Sequence, residues 1–189
     1  MTTTRALPAD IATILVDEAE LARLVDELAA QVGRDFAGRN PVLLGTLCGA
    51  AVFLSDLIRR LDFPLSVDYV AVSSYGSQSI STGELVWSKE PSLDLRGRPV
   101  VIVEDIVDTG RTLVGLRAAL AQRGASQVVA CALLDKPSRR VVPVELEYVG
   151  KQIPDEFVVG YGLDYNQCYR NLPYVGILRR EVYAASGDE

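Results

Sequence analysis

Glu104 and Asp105 are adjacent carboxylates closing the apolar run Val100-Val101-Ile102-Val103, and Asp108-Thr109-Gly110-Arg111-Thr112 comes just after them. The run has the length and composition of a buried strand, and an apolar helical pattern begins beyond the turn. A strand that ends in a glycine-containing turn at a helix start aims several backbone N–H groups at one spot, and such a spot binds phosphate. The two carboxylates repel phosphate and suit hydroxyls or a metal ion instead. A ligand that satisfies the whole stretch carries a phosphate, a diol and a divalent cation such as Mg²⁺, and a ribose phosphate meets these conditions. A buried strand, a polar turn and a helix occur in any α/β protein. This chain adds the coincidence of Glu104, Asp105 and Asp108 with a Thr-Gly-x-Thr turn, which is far more specific than a lone glycine-rich loop.

Such a site needs strands beside it. Residues 41–47 form an apolar strand pattern, and Gly49 opens a helix with Phe53, Leu54, Leu57 and Leu61 inward. Residues 67–74 and the segment Leu85-Val86-Trp87 read as further strands. The helix after the phosphate turn spans 112–123 and stops at Gly124. Residues 128–134 are continuously apolar, as in a parallel strand covered on both faces. Residues 145–149 alternate like a more exposed strand, and 157–160 suit another. Upstream, Ile14-Leu15-Val16 suits a short strand. Asp17 with Glu20 forms a capping box for a helix whose apolar face is Leu21, Leu24, Val25, Leu28 and Val32, ending at Gly33.

Strand and helix alternate from 41 to 134. The expected class is therefore α/β, a parallel twisted sheet with helices on both faces, and ligands in such sheets sit at the carboxyl ends of the strands. Cys48-Gly49, Glu104-Asp105 and Asp135-Lys136 all fall at strand ends and are expected to converge on one edge. Residues 1–189 read as one domain, with a core over 41–149 and a small hood lobe from 1–40 and 150–189. Residues 73–83 are small and polar, long for a hairpin, and expected to act as a mobile lid.

Composition narrows the function. The chain has 189 residues and a net charge of −6, and that acidity argues against a nucleic-acid partner, which needs a basic face. The absence of histidine removes His-based triads and His-ligated metals. Cys48, Cys131 and Cys168 are far apart and odd in number, with neither disulfide-framework nor zinc spacing, and Cys131 in its apolar run reads as a buried thiol. No basic-then-apolar leader and no membrane-spanning run is evident, so the expectation is a cytoplasmic protein with no membrane partner.

The 100–112 run resembles the phosphoribosyl pyrophosphate signature of the type I phosphoribosyltransferases. Together with Leu47-Cys48-Gly49, Ser73-Ser74-Tyr75-Gly76, Leu134-Asp135-Lys136-Pro137 and the stretch Ile153-Pro-Asp-Glu-Phe-Val-Val-Gly-Tyr-Gly-Leu-Asp-Tyr165, it resembles the hypoxanthine-guanine phosphoribosyltransferase family over about residues 14–178. The 153–165 stretch is the most specific, because the wider group does not share it. The resemblance implies the type I phosphoribosyltransferase fold and a purine-salvage reaction. A 6-oxopurine, hypoxanthine or guanine, takes the phosphoribosyl group of phosphoribosyl pyrophosphate, giving IMP or GMP and pyrophosphate, with Mg²⁺ as cofactor in a homodimer or homotetramer.

Carried over residue by residue, Glu104 and Asp105 would hold the ribose hydroxyls. The backbone of 108–112, with the Thr109 and Thr112 hydroxyls and with Gly110 and Arg111 in the turn, would cradle the 5′-phosphate. Asp108 would be the general base at the purine imidazole ring. Lys136 would donate to the purine O6, Phe157 would stack on the base and Val158 would pair with it through its backbone. Asp164, on the purine side, would help hold Mg²⁺ through water, alongside Glu104 and Asp105. Arg170, Cys48 and Gly49 would meet the pyrophosphate, and Ser74 and Tyr75 would cover the site. The chemistry suits these types: positive charge develops on the ribose as pyrophosphate leaves, carboxylates stabilise it, and Mg²⁺ with Arg170 stabilises the departing anion.

Each assignment has a plainer reading. Lys136 could be a solvated strand-end lysine, Phe157 core, Arg170 the partner of a surface acid and Asp164 a turn cap. The family has Leu-Lys-Gly where this chain has Leu47-Cys48-Gly49, so a lysine charge is missing. Cys48 reads as a small buried thiol, with binding there left to backbone N–H groups. Two other functions compete. A nucleotide-sensing regulator that binds nucleic acid is opposed by the acidity and by Asp108. A xanthine-preferring transferase stays open, while adenine is disfavoured because its amino group and Lys136 both donate.

Overall fold

The structure, a computed structural model, describes residues 8–73 and 85–184. β1 is Ile11–Val16 and α1 is Glu18–Phe36. The Asp17 carboxylate accepts from the Glu20 N–H at 2.8 Å, so the capping box does start this helix. Gly33 does not end it. The helix continues to Phe36, and Gly33 faces the Phe63 and Leu61 side chains.

β2 (Val42–Thr46), α2 (Ala50–Ile58), β3 (Ser66–Ser73), β4 (Val86–Lys89), β5 (Pro99–Val107), α3 (Arg111–Gln122), β6 (Gln127–Asp135) and β7 (Tyr148–Gln152) follow. They build a six-stranded sheet in the order β4-β3-β2-β5-β6-β7. Every pairing is parallel except β3 with β4. Strand side chains alternate between faces. Leu43, Val101, Val103, Val129, Cys131 and Leu133 share one buried cluster with α1 and α2, while Val42, Leu44, Val100, Ile102, Ala130 and Ala132 share another with Leu113, Leu116 and Leu120 of α3. Near-continuous apolar strands are what two covered faces require. Gly124, at φ +85°, follows α3 as its sequence position foretold.

β8 (Val158–Val159), β9 (Val175–Leu178) and the short α4 (Arg180–Ala184) complete the described chain. β1, β9 and β8 form a separate antiparallel sheet in that order.

Three expectations need correction. α1, grouped with the hood by sequence position, packs its apolar face on β6 and β7 of the main sheet. The strand placed at 145–149 lies at 148–152, so the main sheet runs past residue 149. The physical reason is at Glu147: its carboxylate accepts from the Ala130 N–H at 2.7 Å and pairs with Arg117, whose guanidinium also takes the Glu145 carbonyl at 2.9 Å. Side chains thus use the groups that a ladder there would need. β9 and α4 were not foreseen at all. Ser74, Tyr75 and most of the expected lid lie outside the described residues. Among the described residues no helix is long and apolar enough to cross a membrane.

Candidate active site

The parallel order β2-β5-β6 sets three strand ends side by side. β5 is longer than its sequence suggested and carries Glu104, Asp105 and Ile106 on to Val107. Glu104 is buried, and its carboxylate accepts a short hydrogen bond from the Thr46 hydroxyl at the end of β2. Burial, then the neighbouring charge of Asp105, pushes the Glu104 pKa up to about 8, against the lowering effect of Thr46. Burial likewise raises Asp105 to about 6, opposed by its bond from the Ile106 N–H at 2.9 Å and by the charge of Arg170. Two carboxylates pressed together in low dielectric favour a proton, a hydroxyl or a cation beside them.

Gly49 precedes α2 and fits against this pair. A Cβ there would lie 1.7 Å from Asp105 Oδ2, so only glycine allows the approach. The Leu47–Cys48 peptide is cis. Cys48 is exposed, not buried. It stands on the turn between β2 and α2, beyond the core that would have covered a thiol.

Gly110, at φ +83°, precedes α3 and supplies no side-chain cap to it. The first N–H groups of α3 therefore face the turn 108–112 without a capping carboxylate or hydroxyl at that position. Arg111 N–H reaches Thr109 Oγ1 at 3.4 Å, and the Thr109 carbonyl is held by Val141 and Val142 N–H groups at 3.0 and 3.2 Å. Arg111 is exposed and Thr112 half-buried in the first turn of α3. Asp108 Oδ1 lies 3.4 Å from Arg139 Nε in an ion pair. It is a buried oxygen without a hydrogen-bond partner among the described residues.

Lys136 follows β6, and its N–H bonds the Val107 carbonyl at 2.9 Å, which ties it to the end of β5. The solvated-lysine reading fails. Lys136 is 7% exposed, with Nζ donating to the Glu156 carbonyl at 2.8 Å. The core reading of Phe157 fails too, since it is 37% exposed, whereas Val158 beside it is buried in β8. Asp164 does cap a turn, accepting from Gln167 N–H at 2.9 Å, and also pairs with Arg170 at 2.8 Å. Arg170 donates to the Gly162 carbonyl at 2.7 Å. Gly162, at φ +102°, sits so close to Gly49 that a Cβ would lie 2.0 Å from the Gly49 carbonyl. Asp164 and Arg170 both act electrostatically on Asp105.

The described candidates therefore gather along one edge, linked through Gly49, Asp105 and Val107. Phe157 and Val158 come from the second sheet. Sequence reasoning missed Thr46, Arg139 and Gly162. Arg139 lies in the run Lys136-Pro-Ser-Arg-Arg140, whose three cations after a strand end were a usable signal. Thr46 carried none beyond position, and Gly162 was signalled only as part of the 153–165 stretch. Among the described residues no group of three or more potential metal-ligating side chains stands together.

A family model described as a phosphoribosyl transferase domain matches residues 12–166. The chain is 45% identical over 177 residues to a hypoxanthine-guanine phosphoribosyltransferase of Streptococcus thermophilus, covering 94% of this chain and 98% of that one. A crystal structure of a hypoxanthine phosphoribosyltransferase from Staphylococcus aureus superposes with a TM-score of 0.88 at 46% identity, covering 92% and 95% of the two chains. A hypoxanthine phosphoribosyl transferase structure from Trypanosoma cruzi gives 0.89 at 35% identity, covering 96% and 98%.

Proposed function

The chain belongs to the phosphoribosyltransferase family, among its hypoxanthine-guanine members, and we propose that it serves purine salvage by transferring the phosphoribosyl group of phosphoribosyl pyrophosphate to hypoxanthine or guanine. The observation that carries this reading is buried Glu104 beside half-buried Asp105, both raised in pKa, at the end of the strand that leads through the 108–112 turn into α3. Diol and phosphate of one ligand can meet these two features together.

In this reading the α3 N-terminal N–H groups, with Thr109 and Thr112, hold the 5′-phosphate. Glu104 and Asp105 hold the ribose hydroxyls, and their negative charge stabilises the cation that develops at the anomeric carbon. Arg170 turns from Asp164 to the pyrophosphate. Asp108 accepts the purine proton as the new bond forms, with Arg139 leaving its side. Lys136, already buried and oriented, donates to O6, and Phe157 offers its ring to the base. Mg²⁺ would be held by one or two of the carboxylates Glu104, Asp105 and Asp164, with substrate oxygens and water completing its shell. When bound it would neutralise charge on the departing pyrophosphate. Exposed Cys48 adds no cation to that end, so binding there rests on backbone and Arg170.

Turnover of hypoxanthine, guanine, xanthine and adenine with phosphoribosyl pyrophosphate and Mg²⁺ tests this. Nucleotide formation from the 6-oxopurines with little from adenine is expected. Failure to release pyrophosphate with every purine would overturn it, and a dominant rate with xanthine would move the substrate assignment.

A further inference from the structure

Phe157 stands between two tyrosines. The Tyr183 ring of α4 lies nearly parallel to it, at 23° with centroids 4.9 Å apart, while Tyr165 meets it at 90° and 5.6 Å. Tyr183 covers one face of the ring, and Phe157 keeps 37% of its surface exposed, so it can take a flat ligand in an orientation already fixed. We propose that Tyr183 is a positioning residue that backs the Phe157 ring, so that the purine base completes a column of three rings. The proposal rests on the function given above.

The second sheet delivers this tyrosine. Arg179, just before α4, donates from its N–H to the Asp10 carbonyl and from Nε to the Ala9 carbonyl, both at 2.8 Å. Val182 and Tyr183 pack on the cluster of Ile11, Val159, Leu172, Tyr174 and Leu178. The Phe157 carbonyl is in turn held by the Leu178 N–H at 2.8 Å. Backbone and backing ring thus come from the same β9–α4 segment. Fixing the Phe157 rotamer before the base arrives removes an ordering cost from binding. Tyr183 also lines an open cleft of about 700 Å³ with Thr13, Glu156 and Arg180.

A stack reads flatness and not the base edge. Tyr183→Ala should therefore raise KM for hypoxanthine, guanine and xanthine alike, by about threefold to tenfold. KM for phosphoribosyl pyrophosphate and kcat should stay near wild type, and Tyr183→Phe should restore the purine KM. An unchanged purine KM in the alanine variant would overturn the proposal. So would a lowered one, which would mean that Tyr183 occupies the face the base needs. Equal weakening of both substrates, unrescued by phenylalanine, would reduce the residue to general structure and overturn it too. A wild-type protein inactive with every purine would sink the functional reading itself. An active wild type with an indifferent Tyr183 would sink only the ring column.

Discussion

Asp68 and Glu104 are both buried carboxylates on the main sheet, one on β3 and one on β5, and the sheet treats them oppositely. Asp68 accepts from the N–H groups of Tyr69, Ser92 and Leu93 at 2.8, 2.6 and 3.0 Å and from Lys89 Nζ at 3.1 Å. Burial pushes its pKa up, but these donors together outweigh burial and hold it below the ordinary carboxylate range. Glu104 takes the Thr46 hydroxyl, Asp105 takes the Ile106 N–H, and both remain raised. A carboxylate that organises a loop is surrounded by the fold's own donors. Carboxylates at the strand end are left with unfilled acceptor capacity that a ligand can use. Asp108, with its buried unbonded oxygen, belongs with the second kind.

Asp108 should show the largest effect. Asp108→Asn keeps the shape but cannot take a proton, so turnover should fall roughly 10²- to 10⁴-fold, with the affinity for phosphoribosyl pyrophosphate nearly retained. An unchanged chemical step in single-turnover kinetics would remove Asp108 from the role. Asp68→Ala should do the reverse. It removes the acceptor shared by two N–H groups of the 92–93 loop and Lys89, and each such hydrogen bond contributes about 0.5–1.5 kcal/mol. A loss of about 3 kcal/mol, seen as a fall in Tm of roughly 6–12 °C, is expected in ligand-free protein. A stable Asp68→Ala variant would show that the donors find water and that the contrast is weaker than the geometry suggests.

pH separates the two kinds by sign. Asp68, lowered, contributes stability that is present above its unfolded pKa near 3.8 and lost as pH falls through its folded value. Glu104, raised from 4.5 to about 8, contributes stability that is complete below pH 4.5 and lost as pH rises toward 8. Glu104→Gln keeps an acceptor for Thr46 and has no proton to lose. In the ligand-free state it should therefore overtake wild type progressively between pH 4.5 and 8, while weakening phosphoribosyl pyrophosphate binding. Denaturation curves for the two proteins that run parallel across that range would contradict a strained Glu104.

Much of this edge was legible in the sequence, because strand ends and carboxylates follow local rules. The continuous apolar runs of β2, β5 and β6 gave the parallel sheet, and Glu104, Asp105 and Lys136 fell at its carboxyl edge by position alone. What failed was decided by tertiary contacts. Lys136 looked solvated because its acceptor, the Glu156 carbonyl, is twenty residues on. Phe157 looked like core because an exposed aromatic and a buried one have the same local pattern. β9 is four residues with a glycine, too short to show a period, and exists through its pairing with β1 and β8. β7 moved because Glu147 and Arg117 satisfy the backbone groups upstream of it. The donors around Asp68 come from a loop 24 residues away, which spacing could not announce.

The smallest expected effect tests what holds Asp68. Lys89 Nζ also touches the carbonyls of Tyr69 and Glu90 and the Ser92 hydroxyl, which would make the ion pair the centre of the cluster. Its side chain is 38% exposed, however, and ion pairs open to solvent contribute about 0–1 kcal/mol. The two loop N–H groups approach from the backbone, cannot rotate away and are held by the 92–93 turn itself. Lys89→Met retains the aliphatic stem and removes only the charge. It should cost about 0.5 kcal/mol, well below Asp68→Ala, and the difference between the two variants should narrow little in high salt, because backbone donors carry no net charge to screen. If Lys89→Met is instead as damaging as Asp68→Ala, the carboxylate is held by charge pairing. The distinction from Glu104 would then rest on one lysine and not on a surround of backbone donors.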